Sequence, residues 1–257
     1  MNVLVTGGTG AVGRHVVRFL GEGGHQAIVM SRRAGVSESR RADLATGEGL
    51  AEAVAGMDAI VHAGSAAAEV TKIKATDVEG TQRLLDAART AGVGHLVYIS
   101  IVGMEGVAYP YYWAKLAAEA IVKSGTVPWT ILRATQFHTL MEIFLGIFAR
   151  LPGLMPVPYR WQFQPVDASE VGARLAQLAV APPAGLLPDF GGPEIREFKG
   201  LAESWRRTRG LRKPMFNLPL PFKASRQFAA GHLLCPDHRD GRITFEQHLA
   251  RRYTAKS

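Results

Sequence analysis

The stretch Asn2-Val3-Leu4-Val5-Thr6-Gly7-Gly8-Thr9-Gly10-Ala11-Val12-Gly13 decides the fold. A short β-branched run leads into glycines, and Val12, Val16, Val17 and Leu20 then recur at helical spacing. The stretch reads as a strand, a tight turn and the start of an amphipathic helix. It meets two glycine templates at once, G-x-G-x-x-G through Gly8, Gly10 and Gly13, and G-x-x-G-x-x-G through Gly7, Gly10 and Gly13. In either template one glycine turns tightly, one lets a pyrophosphate reach the backbone, and one lets helix and strand pack closely. A helix starting there offers unpaired N–H groups and the positive end of its dipole to phosphate. The expectation is a dinucleotide site formed by Gly7, Thr9, Gly10, Ala11, Val12 and Gly13.

Further along, residues 26–31 (QAIVMS), 58–63 (DAIVHA), 95–100 (HLVYIS) and 128–132 (PWTIL) read as strands, with helical stretches at 73–91 and 111–123 and a weakly signalled strand at 40–44. Short apolar strands alternating with amphipathic helices require a parallel sheet covered on both faces. The fold class is therefore α/β, a Rossmann-type doubly wound parallel sheet. After residue 135 the rhythm changes to a helix through Arg150, a Pro/Gly-rich turn over 151–158, a strand at 160–166, a helix at 168–180 and a mostly helical remainder from 198. This predicts a dinucleotide-binding core at 1–135 and a small, mostly helical substrate-binding region at 136–257, interleaved with the core.

About 20 residues beyond the glycine turn, folds that prefer NAD place an acid on the adenosine ribose hydroxyl. Here the sequence reads Ser31-Arg32-Arg33. Two guanidiniums and no carboxylate favour a ribose 2′-phosphate, so NADP(H) is expected over NAD(H). Asp43 is placed at the edge of the adenine pocket, and Ala63, Gly64 and Thr135 are assigned to the same cofactor.

Tyr111-Tyr112-Trp113-Ala114-Lys115 carries the chemistry. On a helix, positions i and i+4 share a face, so the Tyr111 phenol and the Lys115 ammonium act together. A phenol titrates near 10, and a nearby cation lowers that value by favouring phenolate. Tyr111 then serves as general acid in carbonyl reduction or as base in alcohol oxidation; Tyr112, at i and i+3 to Lys115, competes for the role. Ser100 ends its strand on the edge where open α/β sheets bind ligands, and its hydroxyl is a candidate to hold the reacting oxygen.

The Thr6-Gly7-x-x-Gly10-x-x-Gly13 start, Ser100 after a strand and Tyr111-x-x-x-Lys115 resemble the short-chain dehydrogenase/reductase superfamily. Arg32, the short chain and the stretch Trp129-Thr-Ile-Leu-Arg-Ala-Thr-Gln-Phe-His138 look most like its atypical, NmrA-like branch. The resemblance implies that Lys115 also binds the nicotinamide ribose, that Ser100 polarises the substrate carbonyl, and that Gln136, Phe137 and His138 line the substrate site. One departure is Asp77-Val-Glu-Gly80-Thr81, where extended members carry Asn-x-x-Gly-Thr. The branch includes reductases and NADP-binding regulators that turn nothing over. The function expected is therefore an NADP(H)-dependent carbonyl reductase of an apolar or semi-polar small molecule, with an NADP-sensing regulator or an epimerase or dehydratase as alternatives.

Composition bounds the rest. The chain has 257 residues and a net charge of +8, with 14 basic and 5 acidic residues from Arg196 onward against 16 and 17 before it. A solvated basic surface is the expected reading of that surplus, so neither a nucleic acid nor a membrane is expected as partner. The most apolar window, 137–158, is broken by Glu142, Arg150, Pro152 and Pro156, unlike a membrane span. Cys235 alone gives no internal disulfide and no Cys-based metal site, and His232, His238 and His248 lack metal-ligand spacing, so no metal is expected. With no leader pattern at the first strand, the expected location is the cytoplasm, as a monomer or homodimer.

Overall fold

The structure, a computed structural model, describes residues 1–32, 39–67 and 69–253. Its elements run β1 Asn2–Thr6, α1 Gly13–Glu22, β2 Gln26–Ser31, β3 Ser39–Arg41, α2 Leu50–Val54, β4 Ala59–His62, α3 Gly80–Thr90, β5 His95–Ile101, α4 Pro110–Ser124 and β6 Trp129–Ala134. There follow α5 His138–Phe148, β7 Met155–Val157, β8 Gln162–Phe163, α6 Ala168–Ala179, β9 Gly185–Leu186, β10 Arg196–Glu197, α7 Phe198–Thr208, β11 Met215–Asn217, α8 Lys223–Ala229 and α9 Phe245–Tyr253. The chain forms two compact units, the first made of 1–100, 110–133 and 169–188, the second of 101–109, 134–168 and 189–257.

The first unit is built on a seven-stranded sheet of order β3-β2-β1-β4-β5-β6-β9. Parallel pairing joins β1 to both β2 and β4, with Thr6 in register with Met30 on one side and His62 on the other. The strand order reverses at β1, so the carboxyl ends of β1 and β4 flank the crevice where open α/β sheets hold ligands. Leu4, Ile60, Leu96, Tyr98 and Ile131 from the strands pack with Leu84, Ala118 and Val122 from the helices in one buried cluster. Near-continuous apolar runs in the strands are the signature of a sheet covered on both faces. The expected Rossmann-type doubly wound sheet is present.

The second unit is held by an aromatic cluster. Trp161 packs edge-on against Phe163 and Phe228, and Phe198 against Phe148 and Phe163. The Trp161 indole N–H donates to Ser225 Oγ at 2.8 Å, satisfying the one polar atom that this ring buries. Here the expectations from sequence need correction in two places. The turn expected over 151–158 contains β7, which pairs in parallel with β11 some sixty residues on. Pro156 is tolerated because β7 has a single neighbour, and its ladder uses the N–H of Met155 and the carbonyl of Val157. The strand expected at 160–166 shrinks to Gln162–Phe163, paired antiparallel with β10.

Candidate functional site

The glycine turn lies in the first unit, between β1 and α1. Gly7 has φ +65, and a Cβ there would stand 2.6 Å from the Ala63 carbonyl oxygen; one at Gly13 would stand 2.2 Å from the Gly7 carbonyl oxygen. Neither position accepts a side chain without moving backbone. The Gly10 N–H closes the turn on the Gly7 carbonyl at 2.8 Å, while Thr9, Gly10 and Ala11 are exposed. No side chain caps α1 at Val12, and its first turn carries no acid. The donor end of this helix is thus open to an anion, and the turn fits a dinucleotide pyrophosphate.

A buried hydrogen-bond chain fixes the facing strand ends. Thr6 Oγ1 accepts the N–H groups of Ala63 and Gly64 at 3.1 and 2.9 Å. Its own proton then goes to His62 Nδ1, 2.7 Å away. The imidazole hydrogen is therefore on Nε2, which donates to Thr81 Oγ1 at 3.0 Å, and Thr81 donates to the Asp77 carbonyl at 2.6 Å. Burial, reinforced by the Lys115 cation, pushes His62 down to about 3, so the ring is neutral at physiological pH. Asp77 sits in a π-helical turn, Lys74–Glu79, that runs into α3. One oxygen accepts the Ala66 N–H at 2.9 Å, holding the loop after β4; among the described residues the other, Oδ1, is buried without a partner.

Helix α4 carries Tyr111, Lys115 and Glu119 at successive i, i+4 positions. Lys115 is 4% exposed. Its ammonium donates to the Ile99 carbonyl at 2.8 Å and lies 4.0 Å from the centre of the Tyr98 ring. Burial lowers Lys115 to about 8, against the opposing pull of Asp77 and Glu119. It therefore remains mainly cationic near neutrality. One turn earlier, Tyr111 is half-buried, and its hydroxyl is 3.0 Å from Ser65 Oγ in the loop after β4. Tyr112 is turned into the core at 8% exposure, which separates the two competing tyrosines.

Ser100 is placed differently from its expected role. It is 2% exposed, and its side chain hydrogen-bonds the buried Glu119, helping with Arg133 and Lys123 to overcome the burial that would raise that carboxyl. The hydroxyl thus serves a buried ion cluster, because strand alternation turns residue 100 onto the face covered by α4.

Of the remaining expected residues, Ser31 is half-buried and Arg32 exposed at the end of β2, with Arg32 close enough to Glu69 to assist Lys72 in lowering that carboxyl. Arg33 lies outside the described residues. Asp43 Oδ1 accepts the Ala45 N–H at 2.8 Å within its own turn. Thr135, Gln136, Phe137 and His138 belong to the second unit. Thr135 Oγ1 accepts the Gly192 N–H at 3.1 Å, and Phe137 bridges Val166 through its backbone. Gln136 is 5% exposed, and neither amide atom has a partner among the described residues. His138 donates from Nε2 to the Ile243 carbonyl at 2.9 Å, and burial lowers it to about 4. It is a neutral, buried ring packed against Phe245 and His248. Thr81 closes the Asp77-Val-Glu-Gly80-Thr81 motif, whereas His62 and Ser65 are not singled out by sequence motifs; a histidine and a serine flanking Ala63-Gly64 at a strand end are the available signal.

A family profile described as NAD(P)H-binding matches residues 7–140, just over half of the chain. The chain belongs to the NAD(P)H-binding family. Over 110 residues it is 37% identical to a 2-alkyl-3-oxoalkanoate reductase of Stenotrophomonas maltophilia, covering 39% of this chain and 33% of that protein. Over 159 residues it is 30% identical to the photosystem II assembly factor Ycf39 of Synechocystis, covering 58% of this chain and 48% of that protein. The chain thus spans half or less of the length of either relative. A short-chain dehydrogenase/reductase superfamily protein from Agrobacterium tumefaciens, crystallised with bound NAD, superposes with a TM-score of 0.74 over 100% of this chain and 97% of that one at 22% identity. That likeness carries the fold. Together with the glycine turn and Tyr111-x-x-x-Lys115, it agrees with the short-chain dehydrogenase/reductase superfamily. No helix among the described residues is long and apolar enough to cross a membrane, and no cluster there could hold a metal ion.

Proposed function

We propose that the protein is an NADP(H)-dependent reductase of the atypical, NmrA-like branch, acting on the carbonyl of an apolar or semi-polar small molecule. The observation that carries this reading is the buried Lys115 cation one helical turn from Tyr111, whose hydroxyl meets Ser65 at the carboxyl end of the sheet. Gly7 to Gly13 would hold the pyrophosphate, Ala63 and Gly64 the facing edge, and Ser31 and Arg32 the ribose 2′-phosphate. A dinucleotide held there would supply hydride to the carbonyl carbon. Tyr111 gives up its O–H proton to the oxygen of the reduced carbonyl, so that an alcohol O–H forms as the phenol O–H breaks. Lys115 stabilises the phenolate left behind, and Ser65 orients the phenol. Glu119 is a positioning residue, fixing α4 beneath the pair.

The named activity of the Stenotrophomonas relative makes 3-oxo acids the first substrates to assay, followed by unsubstituted ketones and aldehydes. Tyr111→Phe should lower turnover about 10²- to 10⁴-fold, the usual weight of a positioned proton donor, with NADPH affinity retained. Lys115→Met should lower both. Arg32→Ala should erode the preference for NADPH over NADH by about 10- to 100-fold, as expected for charge-assisted bonds to a phosphate. The assembly-factor relative favours a second reading, in which the chain binds NADPH and turns nothing over. Wild-type protein that binds NADPH yet reduces nothing across the panel would establish that reading instead.

A further inference from the structure

Two sequence segments of the second unit contain no acid at all. Residues 143–166 carry Arg150 and Arg160, and residues 204–236 carry seven Arg or Lys, with no Asp or Glu in either. The structure joins them into one surface. Lys213 donates to the carbonyls of Ala149 and Leu151 at 2.7 and 2.9 Å, Arg206 donates to the Lys213 carbonyl at 2.7 Å, and β11 runs beside β7. On this surface Ile143, Ile147, Leu151, Leu154 and Phe216 are 43–58% exposed. Ile143 and Ile147 lie one turn apart on the outer face of α5, whose inner face buries Met141 and Leu145. Arg150 and Arg212 are exposed, next in sequence to Leu151 and Lys213.

We propose that this face of the second unit docks on the surface of an anionic phospholipid bilayer. Exposed aliphatics grouped on one face of a monomer mark an interaction site, and cations around them select a negatively charged one. The acid-free composition argues for charge complementarity to lipid headgroups, and the aliphatic centre argues for contact with acyl chains below them. A nucleic acid would use the cations but gain nothing from Ile147 or Leu154, since its phosphates bind charge and its bases bind aromatic or planar groups. A two-fold dimer through the same face would set like charges against each other. Resting on a bilayer needs no spanning helix, so the interruptions by Pro152 and Pro156 that exclude a span are no obstacle. The proposal stands independently of turnover.

The test is co-sedimentation of the full chain with phosphatidylcholine vesicles, with and without about a third phosphatidylglycerol. Binding to the anionic vesicles and little to the neutral ones is expected. Ile147→Asp and Leu154→Asp, at exposed positions where the fold tolerates charge, should each weaken partitioning by about tenfold or more. Arg150→Gln and Arg212→Gln should each weaken it about fivefold and flatten its salt dependence. Unchanged thermal unfolding of all four variants separates these losses from misfolding. The proposal is overturned by no binding to anionic vesicles; by binding that ignores both aspartates, which places it elsewhere on the chain; or by a duplex or single-stranded RNA that competes fully for the face and binds both aspartate variants as tightly as wild type. A concentration-dependent dimer abolished by Ile147→Asp would likewise reassign the face to a second copy of the chain.

Discussion

Glu119 in the first unit and Glu142 in the second are buried carboxylates neutralised by different chemistry. Glu119, 2% exposed in the first unit, accepts a forked pair of bonds from Arg133 at 2.8 and 2.7 Å and a third from Lys123 at 3.0 Å. Glu142, 8% exposed in the second, accepts from Tyr253 at 2.5 Å and pairs with His248 Nε2 at 2.9 Å, while Asp167 stands 3.4 Å from the other ring nitrogen. In both, hydrogen bonds from the partners overcome the burial that would raise the carboxyl, and its pKa falls. The difference lies in the cations. A guanidinium keeps its charge throughout the physiological range, whereas an imidazolium gives its proton up. The helix that presents Tyr111 and Lys115 is thus tied to β6 by the Arg133 guanidinium, and the C-terminal helix α9 is tied to α5 by a titratable imidazolium, with the half-exposed Arg252 guanidinium 3.4 Å from Glu142 beside it.

Removing the carboxylates should expose that asymmetry. Glu119→Gln leaves Arg133, whose side chain is 16% exposed, without its counter-charge, and a buried pair broken on one side costs about 3–5 kcal/mol. Denaturant unfolding should register that loss, and the double variant Glu119→Gln, Arg133→Met should recover part of it, because the stranded charge is then gone. Glu142→Gln is expected to cost less, about 1–3 kcal/mol, since His248 can shed its proton and the glutamine oxygen still accepts from Tyr253. Equal losses at the two sites would end the distinction between a permanent and a titratable partner.

The same contrast explains what the sequence made legible. Around the first carboxylate, chemistry is local in sequence: Gly7 to Gly13 form one turn, and Tyr111, Lys115 and Glu119 form one helical stripe. Strand alternation alone does not decide Ser100, since the direction in which a residue near a strand end points depends on register, and a slip of one residue exchanges the faces. In the second unit the determining contacts are distant in sequence. His248 meets Glu142 across 106 residues, and Phe216 lies beside Pro156. Neither Met215–Asn217 there nor Gly185–Leu186 at the edge of the first unit's sheet is long enough to show a period of two, so no local pattern announces them. His62 was hidden for another reason: it sits in an apolar strand as a neutral ring, and only the Thr6 and Thr81 hydroxyls at its two nitrogens reveal its work.

The smallest expected effect is the most direct test of the contrast, because it requires the two units to respond to pH in opposite senses. Two carboxylates outweigh burial at His248 and raise it above its ordinary 6.5. The folded state therefore holds that proton more tightly than the unfolded chain. Its stabilising contribution is complete below 6.5 and is lost as pH rises through the folded value. Lys115 behaves in reverse: released at about 8 when folded but at 10.5 when unfolded, it makes the first unit more stable as pH climbs between those values. His62 and His138, lowered to about 3 and 4, are neutral in both states above 6.5 and contribute nothing there. Cys235, raised to about 12 from 9, enters only at higher pH. Between about pH 7 and 8.5, protection factors from hydrogen exchange should thus fall in peptides from α5 and α9 while those from β5 and α4 hold or rise. His248→Asn should remove the fall in the second unit and leave the first unchanged. If peptides from both units instead move together in wild type, the carboxylate centres share one global opening, and the titratable partner of Glu142 governs the stability of α4 as well.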